Sequence, residues 1–309
     1  KRILACVSML LLMSLPAAGA RYALLVGNSL GGSETEALRY VTNDLRGMRD
    51  ILTSLGGFDA RNVVSLYNKS PEDLASALRQ FTDMVSVSTD DLFLFYYSGH
   101  ADEGALHFAD RRYSLARVRT ALDSMPARIK IAVLDACQSG GVTRIKGGRL
   151  EEPFLFKEDS KVKGLVVLYS SSPTENSQES DRFRNSVFTF HFLSALRGCG
   201  DLSQDGKITV NEAYQYSYNR TVSSTVQSAS GVQHPGYQFR IQGEGDIVLA
   251  DLNLRAQGVL LERGIDGSMS IMDSSSGIVA DFVKESDAAF VVALNAGTYR
   301  LACARNGQR

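Results

Sequence analysis

Two kinds of hydrophobic pattern alternate over most of the chain. Short unbroken apolar runs, rich in aromatic or β-branched residues, are followed by longer stretches whose apolar positions recur every three or four residues. The runs at Arg21 to Asn28, Asn62 to Tyr67, Asp91 to Gly99, Ile131 to Ala136 and Gly164 to Ser170 are too short for free-standing helices and read as buried strands. Between them, Leu38, Val41, Leu45, Met48, Leu52 and Leu55 mark one face of a helix over Ala37 to Leu55, which Gly56-Gly57 stops. Ser70-Pro-Glu-Asp73 opens the next helix, with an N-cap serine, proline in the first turn and acids at the positive end of the dipole. A hairpin is expected around Ala109-Asp-Arg, from Ala105 to Phe108 and Arg112 to Leu115, and a helix from Leu115 to Met125 ends at Pro126. Helices are expected over Asn185 to Gly198, with Phe188 and Phe192 as core residues, and over Val210 to Val222; strands follow near Gly236 to Ile241 and Asp246 to Leu249. This alternation predicts an α/β fold, a mostly parallel sheet with helices on both faces.

From about Asn253 the pattern changes to short alternating stretches separated by glycine, aspartate and serine. Gly258-Val-Leu-Leu, Ser268-Met-Ser-Ile-Met, Gly277-Ile-Val-Ala, Phe290-Val-Val-Ala-Leu and Thr298-Tyr-Arg-Leu predict a small antiparallel β domain, and Asn295-Ala-Gly-Thr-Tyr299 looks like the turn and strand of a β-sandwich accessory domain. The expected division is therefore a main domain over 21–251 and a sandwich-like domain over 252–309, which the end of the sequence leaves open to being incomplete.

The 309 residues suit a main domain plus a smaller one, and a hydrophobic fraction of 44% supplies a packed core. The net charge of −1 shows no basic excess for nucleic acid or an anionic membrane, so neither is an expected partner. Residues 1–20 read as a secretory signal peptide: basic Lys1-Arg2, an apolar core from Ile3 to Leu15, and small residues in Pro16-Ala-Ala-Gly-Ala20. The apolar run is shorter than the roughly 20 residues that span a bilayer. The expectation is an exported protein, periplasmic or secreted, with no membrane anchor in the mature form. Cys6 leaves with the leader, and Cys199 and Cys303 are expected to stay unpaired, although an oxidising compartment would permit a disulfide.

Chemistry gathers at two strand ends. Asp91-Leu-Phe-Leu-Phe-Tyr-Tyr-Ser-Gly-His100 and Ile131-Ala-Val-Leu-Asp-Ala-Cys-Gln-Ser-Gly140 each run into a reactive side chain. The carboxyl ends of neighbouring parallel strands line the functional crevice of an open sheet, which would bring His100 and Cys137 together. A thiol and an imidazole suffice for acyl transfer: the thiolate attacks a carbonyl carbon and the imidazole moves the protons. Cys137 as a buried structural cysteine is the alternative. His107, His191 and His234 do not follow an apolar strand and read as packing or surface residues; no Cys/His cluster has metal-ligand spacing. Asp135 lies two positions before Cys137, so on an extended strand it points to the nucleophile's side, where it would pair with a cationic substrate side chain. Its alternative is a carboxylate tying down a loop.

Tyr97-Ser-Gly-His100 and Leu134-Asp-Ala-Cys-Gln-Ser-Gly140 resemble the two signature motifs of caspase-like cysteine peptidases, closest to the metacaspase and bacterial caspase-like branch, over about Arg21 to Asp251. The resemblance implies a caspase-like sheet, a Cys137/His100 dyad, and an oxyanion hole from the backbone amides of Cys137 and Ala101. Relatives usually carry glycine at the latter position, so Ala101 would add strain if the site needs a positive φ. Metacaspases and clostripain-like peptidases carry an acid at the position of Asp135 and cut after Arg or Lys, whereas animal caspases carry glutamine and cut after Asp. Asp44 in Val41-Thr-Asn-Asp44 matches a second acidic position. Glu175, Glu179 and Asp181 follow the Gly164 to Ser170 strand and are candidates to line the cleft, or to form a solvated acidic loop. The loop from Gly140 to Lys163 holds Arg144, Lys146, Arg149, Lys157, Lys161 and Lys163, cleavable bonds for self-processing as in relatives that mature by such a cut, or simply a charged linker.

Asp201-Leu-Ser-Gln-Asp-Gly-Lys-Ile-Thr-Val-Asn-Glu212 fits a twelve-residue calcium loop: Asp201, Ser203, Asp205, the Lys207 carbonyl, Thr209 and Glu212 are the candidate donors and Gly206 the turn. It is a single loop where such loops usually pair, and a helix-connecting turn without the ion is the rival. The expectation is thus a cysteine endopeptidase acting on proteins or peptides with Arg or Lys at P1. No cofactor is required, calcium is a candidate ligand, and the sequence does not give the oligomeric state. A non-catalytic scaffold on the same fold, and an Asp/Asn P1 specificity, are the alternatives.

Overall fold

The protein is described by a computed structural model covering residues 19–31, 35–85, 91–102, 104–136, 163–172, 175–243, 245–254 and 257–304. Six strands form the central sheet: β1 (Arg21–Asn28), β2 (Val63–Tyr67), β3 (Leu92–Gly99), β6 (Ile129–Asp135), β7 (Lys163–Tyr169) and β11 (Gly236–Gln242), in the order β11-β7-β6-β3-β1-β2. All neighbours are parallel except β11, which runs antiparallel to β7. The order reverses beside β1, whose neighbours are β2 and β3, so the crevice of such a sheet opens at the carboxyl ends of β1 and β3.

Each strand feeds both faces because its side chains alternate. Leu25, Leu94, Tyr96, Val133, Val166 and Leu168 pack beneath α1 (Val41–Ser54), α4 (Val187–Ser194) and α5 (Val210–Thr225). Leu24, Val26, Phe93, Phe95, Ala132 and Val167 face the other way, under α2 (Pro71–Met84) and α3 (Leu115–Ser124). The buried runs in the sequence are strands covered on both sides, as a parallel sheet requires.

Helix α2 starts where its cap predicts: Ser70 and Asp73 exchange side-chain and backbone hydrogen bonds in a capping box. The hairpin is β4 (Ala105–Phe108) and β5 (Arg111–Ser114), with Ala109 at φ 54°. Three details differ from the sequence reading. Helix α1 begins four residues late, because the amides of Arg39 and Tyr40 are taken by the Glu179 carboxylate at 2.9 and 2.8 Å. The helix expected to Gly198 ends as α4 at Ser194 and closes through a wide turn, Ala195–Cys199, with Gly198 at φ 119°. Strand β12 (Val248–Asp251) pairs not with the main sheet but with β10 (Lys207–Thr209).

Beyond residue 257 lie β13 (Gly258–Leu261), β14 (Gly267–Asp273), β15 (Ile278–Lys284), β16 (Phe290–Ala293) and β17 (Tyr299–Ala304), all antiparallel, in two sheets, β13-β16 and β15-β14-β17. They enclose a third core of Leu261, Met269, Ile271, Ala280, Phe282, Val292 and Leu294, to which Cys199 also contributes. Cys199 is buried and Cys303 exposed, and both are free thiols. No helix among the described residues is long and apolar enough to cross a membrane.

Candidate active site

The end of β3 is built around one close approach. A Cβ at Gly99 would lie 2.6 Å from the Tyr97 hydroxyl and 2.9 Å from the Asn28 carbonyl, so only glycine fits. Tyr97 is fully buried, and its hydroxyl donates to the carbonyls of His100 at 2.7 Å and His107 at 2.9 Å. Asn28, at the end of β1, donates its side-chain amide to the same His107 carbonyl at 2.9 Å. The backbone that presents His100 is therefore fixed from two strands before the imidazole makes any contact.

The imidazole Nε2 of His100 lies 2.8 Å from the carbonyl oxygen of Glu36. A carbonyl only accepts, so Nε2 carries a hydrogen, and in the neutral ring Nδ1 holds the lone pair. That leaves Nδ1 as the atom able to exchange a proton with a thiol or a leaving group. Ala101 pairs with Leu106 between the bonds His107 N–H to His100 O and Asp102 N–H to Ala105 O. Its own amide is thus turned away from that ladder, as in any non-hydrogen-bonded antiparallel pair. Ala101 is not among the residues of positive φ, so the strain feared for an alanine at this position does not arise.

Asp135 ends β6 in register with Ser98 of β3 and is only 3% exposed. Its carboxylate accepts from Ser177 Oγ at 2.7 Å and Thr189 Oγ1 at 2.6 Å, and Tyr96 donates in turn to Thr189 at 2.7 Å. Asp44, in the first turn of α1, is fully buried and takes four donors: Ser98 Oγ at 2.9 Å, Asn185 Nδ2 at 2.9 Å, Ser186 N–H at 3.0 Å and Ser186 Oγ at 2.7 Å. Burial raises the pKa of both carboxyls, and the charge of Asp135 raises that of Asp44 further. Two like charges in one dry site disfavour each other's ionisation, so the pair holds a proton more tightly than either would alone.

Cys137 and the loop to residue 162 lie outside the described residues, and so does any self-cleavage point there apart from Lys163 at the start of β7. The described chain stops at Ala136, held by Ser170 and Ser171 at the end of β7: Ser170 Oγ accepts from the Ala136 amide at 3.1 Å, and Ser171 Oγ donates to its carbonyl at 3.5 Å. In sequence, Cys137 stands two residues past Asp135 as His100 stands two past Ser98. Residues 1–18, which carry the leader pattern, also lie outside the described residues.

Glu179, expected to line the cleft, instead spends its carboxylate on the Arg39 and Tyr40 amides. Asp181 accepts from the Tyr40 hydroxyl at 2.5 Å, and Glu175 accepts from the His234 backbone and ring at 2.7 Å each. These acids clip loops together. His107 pairs with Asp102 at 2.9 Å and His191 is buried against Ser224, in keeping with packing roles. In the 201–212 loop, Glu212 accepts from the Ser203 amide and, in a capping box, from Thr209; Asp201 accepts from the Asp205 and Gly206 amides, and Asp205 from Lys207. Burial, then the charges of Asp205 and Glu212, raise Asp201 above the usual carboxylate range. Among the described residues no group of three or more His, Cys, Asp or Glu has a metal-holding arrangement, and the loop is closed by these backbone and capping hydrogen bonds. The Glu36 carbonyl, Asn185, Ser186, Ser177 and Thr189 were not singled out from the sequence.

In the mostly parallel sheet β3 runs into His100, with the buried Asp44 and Asp135 bonded around that strand end, and in sequence a cysteine follows Asp135 by two residues. The chain belongs to the caspase domain family, which it matches over residues 20–243. Its structure is similar to caspase-1 from Spodoptera frugiperda, with a TM-score of 0.53 at 15% identity, over 75% of this chain and 90% of that one. It is also similar to the structure of pro-sf-caspase-1, with a TM-score of 0.50 at 16% identity, over 71% and 91%. Both likenesses concern the fold. A comparison with curated proteins gives no match.

Proposed function

We propose that the protein is an exported cysteine endopeptidase that hydrolyses peptide bonds after Arg or Lys through a Cys137/His100 dyad. The reading is carried by the pair of buried carboxylates, Asp44 and Asp135, beside the His100 strand end. Their donors are hydroxyls and amides, and among the described residues the groups that govern their ionisation include no cation. Neutral donors support a carboxylate but leave its charge in place. A P1 guanidinium would supply the counter-charge, with a planar fork suited to two acceptors. In the reaction the Cys137 thiolate attacks the scissile carbonyl carbon, and the carbonyl electron pair moves onto oxygen, facing the amides of Cys137 and Ala101. His100, holding the thiol's proton on Nδ1, passes it to the leaving nitrogen as the C–N bond breaks. Water then attacks the thioester, its proton goes to His100, and the thiol is released.

The non-catalytic reading has an observation of its own, since the same donors make Asp44 and Asp135 ties between β3, the 177–186 segment and α4. An acidic P1 is disfavoured by repulsion from both carboxylates, and an asparagine P1 would leave their charge uncompensated. The deciding assay uses mature protein and peptides that differ only at P1, with Arg, Lys, Asp or Asn, and Cys137→Ala as control. Turnover of Arg and Lys alone, absent in the control, is expected; turnover of Asp or Asn alone removes the pocket reading. No turnover from folded protein, with and without millimolar calcium, favours the scaffold. Activation by calcium would support the ion in the 201–212 loop, and identical rates with unchanged melting leave it a capped turn. Intact mass of the same preparation reports self-processing between residues 141 and 163, expected in the wild type and absent in Cys137→Ala. The N-terminal residue of exported protein reports leader removal.

A further inference from the structure

The segment that brings Asn185 and Ser186 to Asp44 is a slender hairpin, β8 (Glu179–Ser180) and β9 (Asn185–Ser186). Two-residue strands cannot hold a geometry by their own ladder, and the tip turns through Arg184 at φ 53°. On one flank the hairpin is clipped to the approach and first turn of α1, through Glu179 to the Arg39 and Tyr40 amides and through Asn43 Nδ2 to the Arg184 carbonyl at 2.8 Å. On the other flank, Arg182 forms an ion pair with Asp281 of β15.

Asp281 is an unusual strand residue. Along β15, Ala280, Asp281 and Phe282 are buried in succession. A strand alternates its faces, so Ala280 and Phe282 fill the core of the C-terminal sheets while Asp281 faces the opposite way. That second face is covered by the peptidase domain: Arg220 of α5 donates to the Asp281 carboxylate at 2.6 Å, and Tyr216 of the same helix donates to its carbonyl at 3.1 Å. Ser270 of β14 adds a hydrogen bond at 3.0 Å. A carboxylate with 5% side-chain exposure needs cationic partners to remain there, and Arg182 and Arg220 provide them.

We propose that Asp281 is a positioning residue for the P1 pocket: through its ion pair with Arg182, the C-terminal β domain holds the 179–186 hairpin so that Asn185 and Ser186 stay on Asp44. This rests on the reading of Asp44 and Asp135 as the pocket floor. The hairpin supplies three of the four donors to Asp44. The Arg182 guanidinium also lies over the Phe183 ring at 5.0 Å, and Phe183 stacks on Phe190 of α4 at 4.1 Å, next to Thr189, which donates to Asp135. The accessory domain thereby reaches both acids through one arginine.

The test compares wild type with Asp281→Ala, Arg182→Ala, the double variant and Arg182→Lys, by amide hydrogen exchange and by hydrolysis of a P1 Arg peptide. Arg182 has 62% side-chain exposure, so Arg182→Ala keeps the experiment readable if Asp281→Ala folds poorly. Exchange across 179–186 and 39–45 is expected to accelerate about tenfold in both single variants, with α2 unchanged and Arg182→Lys largely restored. KM is expected to rise several-fold with little change in kcat, and the double variant to be no worse than Asp281→Ala. Wild-type exchange across the hairpin in both single variants overturns the clamp. Faster hairpin exchange with an unchanged KM overturns its link to the pocket. If the wild type cleaves no basic peptide, the P1 reading fails, and the exchange data still decide whether Asp281 holds the hairpin on Asp44.

Discussion

Gly99 and Asp44 show how single residues set the site's chemistry. A methyl at residue 99 meets a hydroxyl and a carbonyl at 2.6 and 2.9 Å, and the hydroxyl cannot retreat without releasing the carbonyls of His100 and His107. Gly99→Ala is expected to cost about 1–3 kcal/mol in stability and to displace His100. The proposed peptidase should lose at least tenfold in kcat/KM, measured beside a thermal melt. Asp44 gives a pH signature. Burial and the neighbouring Asp135 raise its carboxyl to about 7, against ~3.9 for a free aspartate. At this carboxyl the folded chain therefore binds a proton more tightly than the unfolded chain, so the stability that Asp44 contributes is fully present below pH ~4 and is lost as pH rises through about 7. Asp44→Asn keeps acceptor and donor capacity toward Ser98, Asn185 and Ser186 but removes the charge. It should flatten the melting temperature between pH 5 and 8, raise it at pH 8, and weaken turnover of a P1 Arg peptide. Asp44→Ala strands four donors and should cost on the order of 3 kcal/mol or more at every pH. A variant Asp44→Asn that melts like wild type at pH 8 would show that the buried charge is not destabilising. His100 and Asp135 were legible in the sequence because a strand end places each of them, whereas Asp44 was singled out only by its match to an acidic position of the resembling family. The Glu36 carbonyl was not, since a main-chain oxygen has no residue signature, and Asn185 and Ser186 act through a tertiary contact that no local pattern encodes.

At the scale of elements, the hydrophobic period named nearly every strand and helix, because burial on one or two faces leaves its mark residue by residue. The misses are cases where a distant group outcompeted local preference. Leu38 and its neighbours continue a helical period, yet α1 starts at Val41 because Glu179 takes the amides that an earlier helical turn would leave exposed. The 210–225 helix begins where its Thr209/Glu212 capping box sets it. Glu212 in that box also occupies the last position of the twelve-residue calcium pattern, so one residue serves both readings. β12 carries the composition of a sheet strand but pairs with three residues of β10, a choice made by the path of the chain past Gly206 and not by its side chains. Periodicity reports how buried a segment is; it does not report its neighbour.

The whole molecule is joined more tightly than a peptidase with an appended domain. Gly198 is the closest junction: a Cβ there would lie 2.2 Å from the Val291 carbonyl of β16, at a φ of 119°. Ala293 of β16 packs into the core under α1 and α4, while Cys199 of the peptidase domain packs into the core of the β domain. Each core thus borrows from the other, and Asp281 links them through Arg182 and Arg220. Ending the chain at residue 254 would uncover Cys199 and leave Arg220 and Tyr216 of α5 without their partners on β15. Exposed apolar surface costs ~25 cal/mol per Å², and a guanidinium stripped of its carboxylate adds the loss of a largely buried pair. The truncated protein should melt several degrees below the full chain and be cut faster by a protease of unrelated specificity, first at the 195–199 turn and the 179–186 hairpin. Equal melting temperatures and equal cleavage patterns would mean that the two parts fold independently. In that event the ion pair at Asp281 would join finished units instead of completing the fold.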